Sequence, residues 1–492
     1  MATGSPTTAA PTTVTRVPRA ALRLALPAAI VVAVATLLRV VYHPWYLNYD
    51  ARYALLWARD LWHGYRPDYG ADFAPTPHPL QTAMGFLALP FDGSDQVMSW
   101  TILLAFGVLI WLVYRLGSEL FSPWVGAVTA LAVLTRPALE RDALLAYQDV
   151  AFAALIVGAV LVEVRRPRRG LPVLALLAFA GLFRPEAWLL SGLYVLYLWR
   201  ALSPRTRAAF CALAAVAPVT WMLTDLLIAH DALHSLHGTA ALADQADRRR
   251  HIGQVPYWTA QYFGFTLREP VLVGVAIGLV FGWLHRRRAA TLPVVVAVAM
   301  TAVFAIGPLF GLPLIGRYLR TPAILFAVFY GLAVCGWLLL PSGRDRRLWL
   351  GASILVVGLT IAFLPSNVDM LRGLHKRIER DGKLYSDLRL VGEAAVVREA
   401  FDACQPLSAA DHRPIPYVRY WLDGKPGSVG TVEGGASPLG RLLLLPRRTP
   451  LVRHFYQAPF PTVTPPAGYR AIYANRSWSV YAAPRCLKRP RA

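Results

Sequence analysis

Long apolar runs, broken by short polar and arginine-rich segments, occupy the chain from residue 21 to residue 364, and beyond that point the pattern changes. The runs fall at 21–41, 97–113, 122–139, 149–164, 171–183, 187–199, 208–228, 271–284, 292–310, 321–340 and 348–364. A helix needs roughly 20 apolar residues to cross the hydrocarbon core of a bilayer, so these windows predict about eleven crossings. The fifth and sixth are short and are separated by Arg184-Pro185-Glu186, which is also consistent with a helical hairpin that does not fully span. Between the first two runs, in the connection 42–96, Tyr53, Leu56, Trp57, Asp60, Leu61 and Trp62 recur at helical spacing. That stretch predicts an amphipathic helix lying on the membrane surface. Residues 365–492 are polar and punctuated by proline and glycine. Helical periodicity is expected at 368–380 and 388–401, strands at 415–422, 441–445, 469–473 and 478–482, and a hairpin turn at Asn475-Arg476-Ser477. The expected fold class is an all-α polytopic membrane domain over 21–364 followed by an α+β domain over 365–492. No internal repeat or heptad pattern is present.

Composition excludes a soluble protein of ordinary surface: 56% of the 492 residues are hydrophobic, 16% are charged and the mean hydropathy is +0.44. The net charge of +22 would suggest a nucleic-acid partner in a soluble chain. Here the arginines cluster in connections between apolar runs, at 165–169, at Arg200, Arg205 and Arg207, at 286–288 and at 344–347. This is the distribution of cytoplasmic loops, and it replaces nucleic acid with membrane as the reason for the charge. The N-terminus is then cytoplasmic. Residues 1–20 form a tail whose Ala/Thr/Pro-rich first part is expected to be disordered, and 21–41 reads as an uncleaved signal anchor. The connections holding Asp50, Glu140 to Gln148, Arg184 to Glu186, His230 to Glu269 and Gly311 to Arg320 fall together on the outer side, as does the C-terminal domain. Ala-, Arg- and Pro-rich usage suggests a bacterial chain, hence a multi-pass protein of the plasma membrane. Cys211 and Cys335 lie in apolar runs and read as small buried hydrophobes, whereas Cys404 and Cys486 lie in the outer domain, where a disulfide is expected.

The ionisable residues with chemical potential gather on that outer side. Asp50, in Asn48-Tyr49-Asp50-Ala51-Arg52-Tyr53, follows the first span by nine residues and is a candidate general base. Arg52, Arg184 and Arg317, with Tyr318 beside the last, are candidates for holding a phosphate, since a guanidinium meets phosphate oxygens bidentately and keeps its charge. Pairing of Arg184 with Glu186 competes with that role. Asp149 heads an apolar helix, where it serves either as a cap-like group at the positive end of the helix dipole or as an acceptor or metal ligand. His78, inside Pro77-His78-Pro79-Leu80, reads as a residue that contacts a ligand or fixes the loop. His230, His234 and His237 recur at helical spacing near Asp231, but no closed ligand set accompanies them. No phosphate-binding glycine loop, nucleophile elbow or kinase signature occurs, which disfavours a nucleotide-sugar donor and ATP-driven transport.

The order of a first span, an outer-loop aspartate, an interfacial helix, a Pro-x-Pro-Leu element and a further aspartate at the head of the fourth span resembles the GT-C glycosyltransferases. The protein mannosyltransferase and aminoarabinose transferase branches are the most similar. The matching positions are Asp50, Pro77-His78-Pro79-Leu80, Asp149 in Tyr147-Gln148-Asp149, and Arg317-Tyr318 with Pro322. The likeness covers about the first 200 residues and then only the late motif. Many relatives have Asp-Glu in the first loop, whereas Asp50 is followed by Ala51. The resemblance implies an inverting transfer of sugar from a polyprenyl-phosphate donor to a lipid, glycan or protein acceptor on the outer face. No cofactor is demanded by these residues, and a divalent metal stays open. The rival class is a transporter or flippase of a lipid-linked intermediate, for which ionisable residues in mid-span and repeated halves are expected. A catalytically silent assembly partner is a third class.

Overall fold

A computed structural model describes residues 19–435, 438–456 and 460–486. The disorder expected for the first residues of the chain falls outside the described part.

The membrane portion is helical throughout. Helix α1 (Arg19–Val41) leads through a short connection into α2 (Tyr49–Trp62) and α3 (Pro79–Phe86). Then come α4 (Asp95–Leu120), α5 (Pro123–Leu134), α6 (Pro137–Leu144), α7 (Asp149–Arg165), α8 (Leu171–Phe183) and α9 (Glu186–Leu198). The series continues with α10 (Pro204–Ala229), α11 (His234–Gln245), α12 (Val255–Leu267), α13 (Glu269–His285), α14 (Arg287–Ile306), α15 (Arg320–Cys335) and α16 (Arg344–Ala362). Among the described residues four helices are long and apolar enough to cross a membrane alone, and seven spans result if each bent pair counts as one. Shorter apolar helices at Ala25–Val41, Pro123–Leu134 and Leu171–Phe183 accompany them. The window at 122–139 is interrupted: α5 stops at Leu134, and Pro137 opens α6 as a separate helix, a first-turn position where its missing N–H leaves no bond unmade. Helices α6 and α7 then meet at 114° and α12 and α13 at 105°. Left-handed backbone at Ala146 (φ 59°) and positive φ at Arg268 (φ 70°) mark these two corners. The core of the bundle includes Phe106, Phe152, Ile156, Leu325 and Val328, all at most 2% exposed. Close approach of α13 to α15 needs glycine, since a Cβ on Gly278 would lie 1.8 Å from the Phe329 carbonyl oxygen.

The C-terminal portion begins with α17 (Leu364–Glu393), bent by 44° from α16. It continues through α18 (Ala395–Ala403), β1 (Leu407–Ala409), α19 (Ile415–Trp421), β2 (Val429–Thr431), β3 (Leu442–Pro446), α20 (Pro450–Tyr456), β4 (Arg470–Ala474) and β5 (Trp478–Ala482). The sheet order is β2-β1-β3-β5-β4, with β1 parallel to β2 and β3, and β5 antiparallel to β3 and β4. The β4–β5 hairpin turns at 475–477, where the Asn475 side chain accepts from the Ser477 and Trp478 amides. The stretch expected as a strand at 415–422 is instead helix α19. Pro416 sits in its first turn, and Tyr417, Val418 and Trp421 fall on one side at i, i+1 and i+4, a helical rather than an alternating pattern. Strands β1 and β2 are too short for a periodicity to announce them. Cys404 and Cys486 are disulfide-bonded with their Cα atoms 5.7 Å apart, tying the end of α18 to the end of β5.

Helix α2 is not a helix with one open face. Every residue from Ala51 to Asp60 is buried, with Ala51 and Leu55 in the bundle core and Tyr53, Leu56 and Trp57 in the core of the C-terminal domain. Two apolar faces therefore join two domains through one helix. Its first turn carries Asp50.

Candidate active site

The position of Asp50 is set by its neighbours in sequence. Asn48 caps α2 by accepting from the Ala51 amide (3.1 Å), and its own side-chain amide donates to the Leu145 carbonyl (2.6 Å). The same carbonyl accepts from the Asn48 backbone (2.9 Å). Thus the start of α2 is pinned to the α6–α7 corner, and Asp50 is brought towards the segment that carries Tyr147 and Asp149. Across the chain Arg317, in the turn before α15, donates to the Asp50 carboxylate at 2.6 Å with the two side chains 22% and 16% exposed. The Arg317 guanidinium also lies 5.2 Å from the Tyr147 ring centre.

This pair lines a cavity of about 1190 Å³ between the end of the bundle and the C-terminal domain. Its wall includes Tyr147 from the corner, Arg248 and Trp258 from the α11–α12 region, and His412 and Arg413 from the C-terminal domain. Burial works to raise the Asp50 carboxyl, but the Arg317 charge and hydrogen bond, joined by the more distant His78 and Arg248, outweigh it and hold Asp50 below the usual carboxylate range. While so paired, Asp50 is a weak base.

A second cluster lies beside the first. Arg184 binds both Asp149 and Glu186 and stacks 4.2 Å from the centre of the Tyr318 ring. Asp149 is 4% exposed, and its second oxygen, Oδ2, has no hydrogen-bond partner. Gln148 Oε1 and His78 Nδ1 are likewise buried without a partner. Burial and the Arg184 charge push the His78 imidazole down to about 3, so the ring is neutral at physiological pH. Tyr147 from the α6–α7 corner and Tyr318 from the turn before α15 thus stand against the two arginines of these clusters. The result is a band of acids, cations and orphaned acceptors, which is a setting for a ligand rich in hydroxyl and phosphate groups.

Arg52 is elsewhere. It is 1% exposed, pairs with Asp95 and is surrounded by Tyr417, Tyr420 and Trp421 at 5.2, 5.0 and 5.2 Å. It does not line the cavity, because alternation around α2 points it to α19 when Asp50 points to Arg317. Arg52 belongs to a set of contacts that hold α2 against the C-terminal domain. Arg419 is buried between Asp60 (2.6 Å) and Asp68 (2.7 Å), Arg59 donates to the Tyr420 carbonyl (2.8 Å), and the Tyr417 hydroxyl donates to the Leu47 carbonyl (2.7 Å).

The histidines 230, 234 and 237 are not gathered round a common point. His237 pairs with Asp231 (2.6 Å), His234 stacks on Tyr69 at 6.3 Å, and His230 ends α10 in left-handed backbone. Among the described residues the group able to share a metal is Asp411, His412 and Glu433, with ligand atoms within 4.8 Å of one another. Its His412 Nδ1 is 2.7 Å from Glu433, and its Asp411 accepts from the Tyr456 hydroxyl (2.5 Å). Asp50 and Asp149 are outside that group, and each is matched by a guanidinium. The contributions of Arg248, His412 and Arg413 to the cavity had no motif to signal them. Their only trace in the chain is a cation-rich run at 248–251 and an isolated Asp-His-Arg at 411–413.

No family model and no curated protein matches the sequence. Solved structures do. The crystal structure of ArnT from Cupriavidus metallidurans bound to undecaprenyl phosphate matches with a TM-score of 0.57 at 14% identity, over 94% of this chain and 98% of that one. Its apo form matches with a TM-score of 0.58 at 14% identity, over 96% and 100%. At this identity the likeness is one of fold, and it extends over both chains almost end to end: the chain has the fold of ArnT.

Proposed function

We propose that this chain is a multi-pass membrane glycosyltransferase that moves a sugar from a polyprenyl-phosphate donor to an acceptor hydroxyl on the outer face of the plasma membrane. The observation that carries the proposal is the Asp50–Arg317 pair on the wall of a large polar cavity, in a fold that a neighbour uses to hold undecaprenyl phosphate. In this reading the donor phosphate draws Arg317, with Tyr318 and Arg184 nearby, and so takes the cation away from Asp50. Burial then governs the carboxylate, its basicity rises, and it accepts the proton of the acceptor hydroxyl. The acceptor oxygen bonds to the anomeric carbon as the bond from that carbon to the phosphate oxygen breaks, with inversion. Polyprenyl phosphate leaves, its charge met by Arg317. Asp149 and His78, with their unpartnered Oδ2 and Nδ1 atoms, are assigned to hydroxyls of the acceptor or the sugar, and Glu186 to keeping Arg184 in place. Ala51 leaves Asp50 without a neighbouring acid, so Asp50 acts alone. The transporter alternative is less well supported, because the pairs Asp50–Arg317, Asp149–Arg184 and Asp142–Arg320, with little exposed surface, share one end of the bundle and the sequence has no repeated halves.

The test supplies vesicles containing the full chain with labelled polyprenyl-phosphate sugars and compares wild type with Asp50→Asn. Loss of a positioned base is expected to lower transfer by roughly 10²- to 10⁴-fold. Undiminished transfer by the variant removes Asp50 as the base, and absence of transfer by wild type with every donor returns weight to transport.

A further inference from the structure

At the opposite end of the bundle from Asp50 lies a second large cavity, of about 710 Å³, between α7, α8, α9 and α14. Its depth is apolar: Ile156, Val160, Val173 and Leu177 are each at most 5% exposed. Its mouth is open at the side of the bundle, where Leu193 and Val295 are 43% and 53% exposed. The volume falls inside the roughly 300–1,000 Å³ of small-molecule sites, and an apolar cavity opening sideways on a membrane-spanning bundle has acyl chains as its neighbours.

The rim gives this cavity a chemical preference. Arg288 lines it directly. Arg168 reaches the hydroxyl of Tyr197, which also lines it (3.5 Å). Arg166, Arg169 and Arg287 adjoin in sequence and are exposed. Two acids face the same space and are both satisfied: Glu119 is held by Arg115 (2.7 Å) and Arg165 (2.8 Å), while Glu163 accepts from the Tyr194 hydroxyl (2.6 Å) and the Arg168 amide (2.9 Å). Arg288, Arg166, Arg168, Arg169 and Arg287 have no carboxylate within ion-pair distance among the described residues. A tube of apolar side chains capped by an excess of guanidinium groups complements one ligand class, an anionic phospholipid with a chain in the cavity and its phosphate at the rim. We infer that this cavity is a binding site for an anionic phospholipid, separate from the Asp50 cavity and independent of what that cavity does.

The test uses the full chain, purified in detergent and stripped of lipid, titrated with phosphatidylglycerol, with phosphatidylcholine of the same chains and with polyprenyl phosphate, and read by native mass spectrometry and by the thermal midpoint. Phosphatidylglycerol is expected to bind and to raise the midpoint more than phosphatidylcholine does. Arg288→Gln should weaken its binding roughly fivefold, the effect of one arginine near a charged headgroup. Val295→Trp changes an exposed residue, so it blocks the mouth without disturbing a packed core, and should abolish the difference between the two lipids. Equal binding of the two phospholipids by wild type overturns the proposal. So does unchanged phosphatidylglycerol binding by both variants, and preferential capture of polyprenyl phosphate would make the cavity a track for the donor tail instead.

Discussion

Replacing Arg317 with alanine leaves the Asp50 carboxylate as desolvated as before and without its partner, so the balance that holds it below the usual carboxylate range is reversed. Two effects follow in the proposed reaction. Transition-state charge on the departing phosphate loses a charge-assisted contact, worth about 1.5–3 kcal/mol, or roughly 10- to 150-fold in kcat/KM. Separately, the acid limb of the pH profile moves upward, because kcat/KM reports the free enzyme and the base of the free enzyme now titrates at higher pH. Arg317→Lys keeps a charge but not the planar fork; it should keep the acid limb near that of wild type and still lose rate. The assay is kcat/KM for transfer from labelled polyprenyl-phosphate sugar, measured in vesicles across the acid range for wild type, Arg317→Ala and Arg317→Lys. An acid limb that stays in place in Arg317→Ala, whatever happens to the rate, would mean that the group titrating in the free enzyme is not the partner of Arg317 and so is not Asp50.

Other outcomes concern the frame around the site. Arg419→Met leaves Asp60 and Asp68 facing each other without the cation between them, and removal of one partner of a buried pair costs about 3–5 kcal/mol; limited proteolysis should show the C-terminal domain loosened, and adding Asp60→Asn with Asp68→Asn should restore much of its resistance. His78 is neutral in the folded protein down to about pH 3, whereas in the unfolded chain it gains a proton below roughly 6.5. The unfolded state therefore binds more protons between these values, stability falls as pH drops through that window, and His78→Gln should flatten this part of a plot of thermal midpoint against pH. Cys404→Ser with Cys486→Ser opens a link spanning 82 residues, and about 4 kcal/mol of chain-entropy stabilisation is at stake; the variant should unfold in its C-terminal domain at lower denaturant and be insensitive to reductant, unlike wild type. Arg52→Ala should lower the thermal midpoint while leaving KM for the donor unchanged, as expected of a residue enclosed by Tyr417, Tyr420 and Trp421.

Much of the architecture is visible in one dimension because membrane helices and hairpins are local objects. An apolar run or an alternating pair of strands carries its own period, and β4, β5 and the Asn475 turn are where the period places them. What the run does not state is where it bends. The corner between α6 and α7 depends on left-handed backbone at Ala146, and that between α12 and α13 on Arg268; neither residue type advertises such a conformation. The difference between about eleven apolar windows and four to seven spans among the described residues has another source, apolar helices such as Ala25–Val41, Pro123–Leu134 and Leu171–Phe183 that are short for a crossing. The limit met at the corners also explains α19. A short stretch with Tyr417, Val418, Tyr420 and Trp421 has strand-like composition, and its helical form is selected by tertiary contact with Arg52 and Arg59.

The site divides along the same line. Asp50, Asp149, Arg184 and Arg317 stand out because a charge next to an apolar span is expensive unless it has a use. Their partners are a different matter, since the Asp50–Arg317 contact joins positions 267 residues apart and Arg184 reaches back 35 residues to Asp149. Sequence spacing treats Asp50 and Arg52 as companions; about half a turn of helix separates them into two environments, one on the cavity and one inside the domain junction. This separation gives Arg52 a different kind of importance. Helix α2 carries the candidate base in its first turn and is fixed along the rest of its length by Arg52, Arg59 and Asp60 to α19 and the segment that follows it. The first turn of the same helix is tied to the bundle through Asn48 and the Leu145 carbonyl, so α2 bridges the two domains and Asp50 faces Arg317 only while both ends of that bridge hold. The distance between base and cation, on which the proposed exchange with the donor phosphate depends, is set by how the two domains are joined.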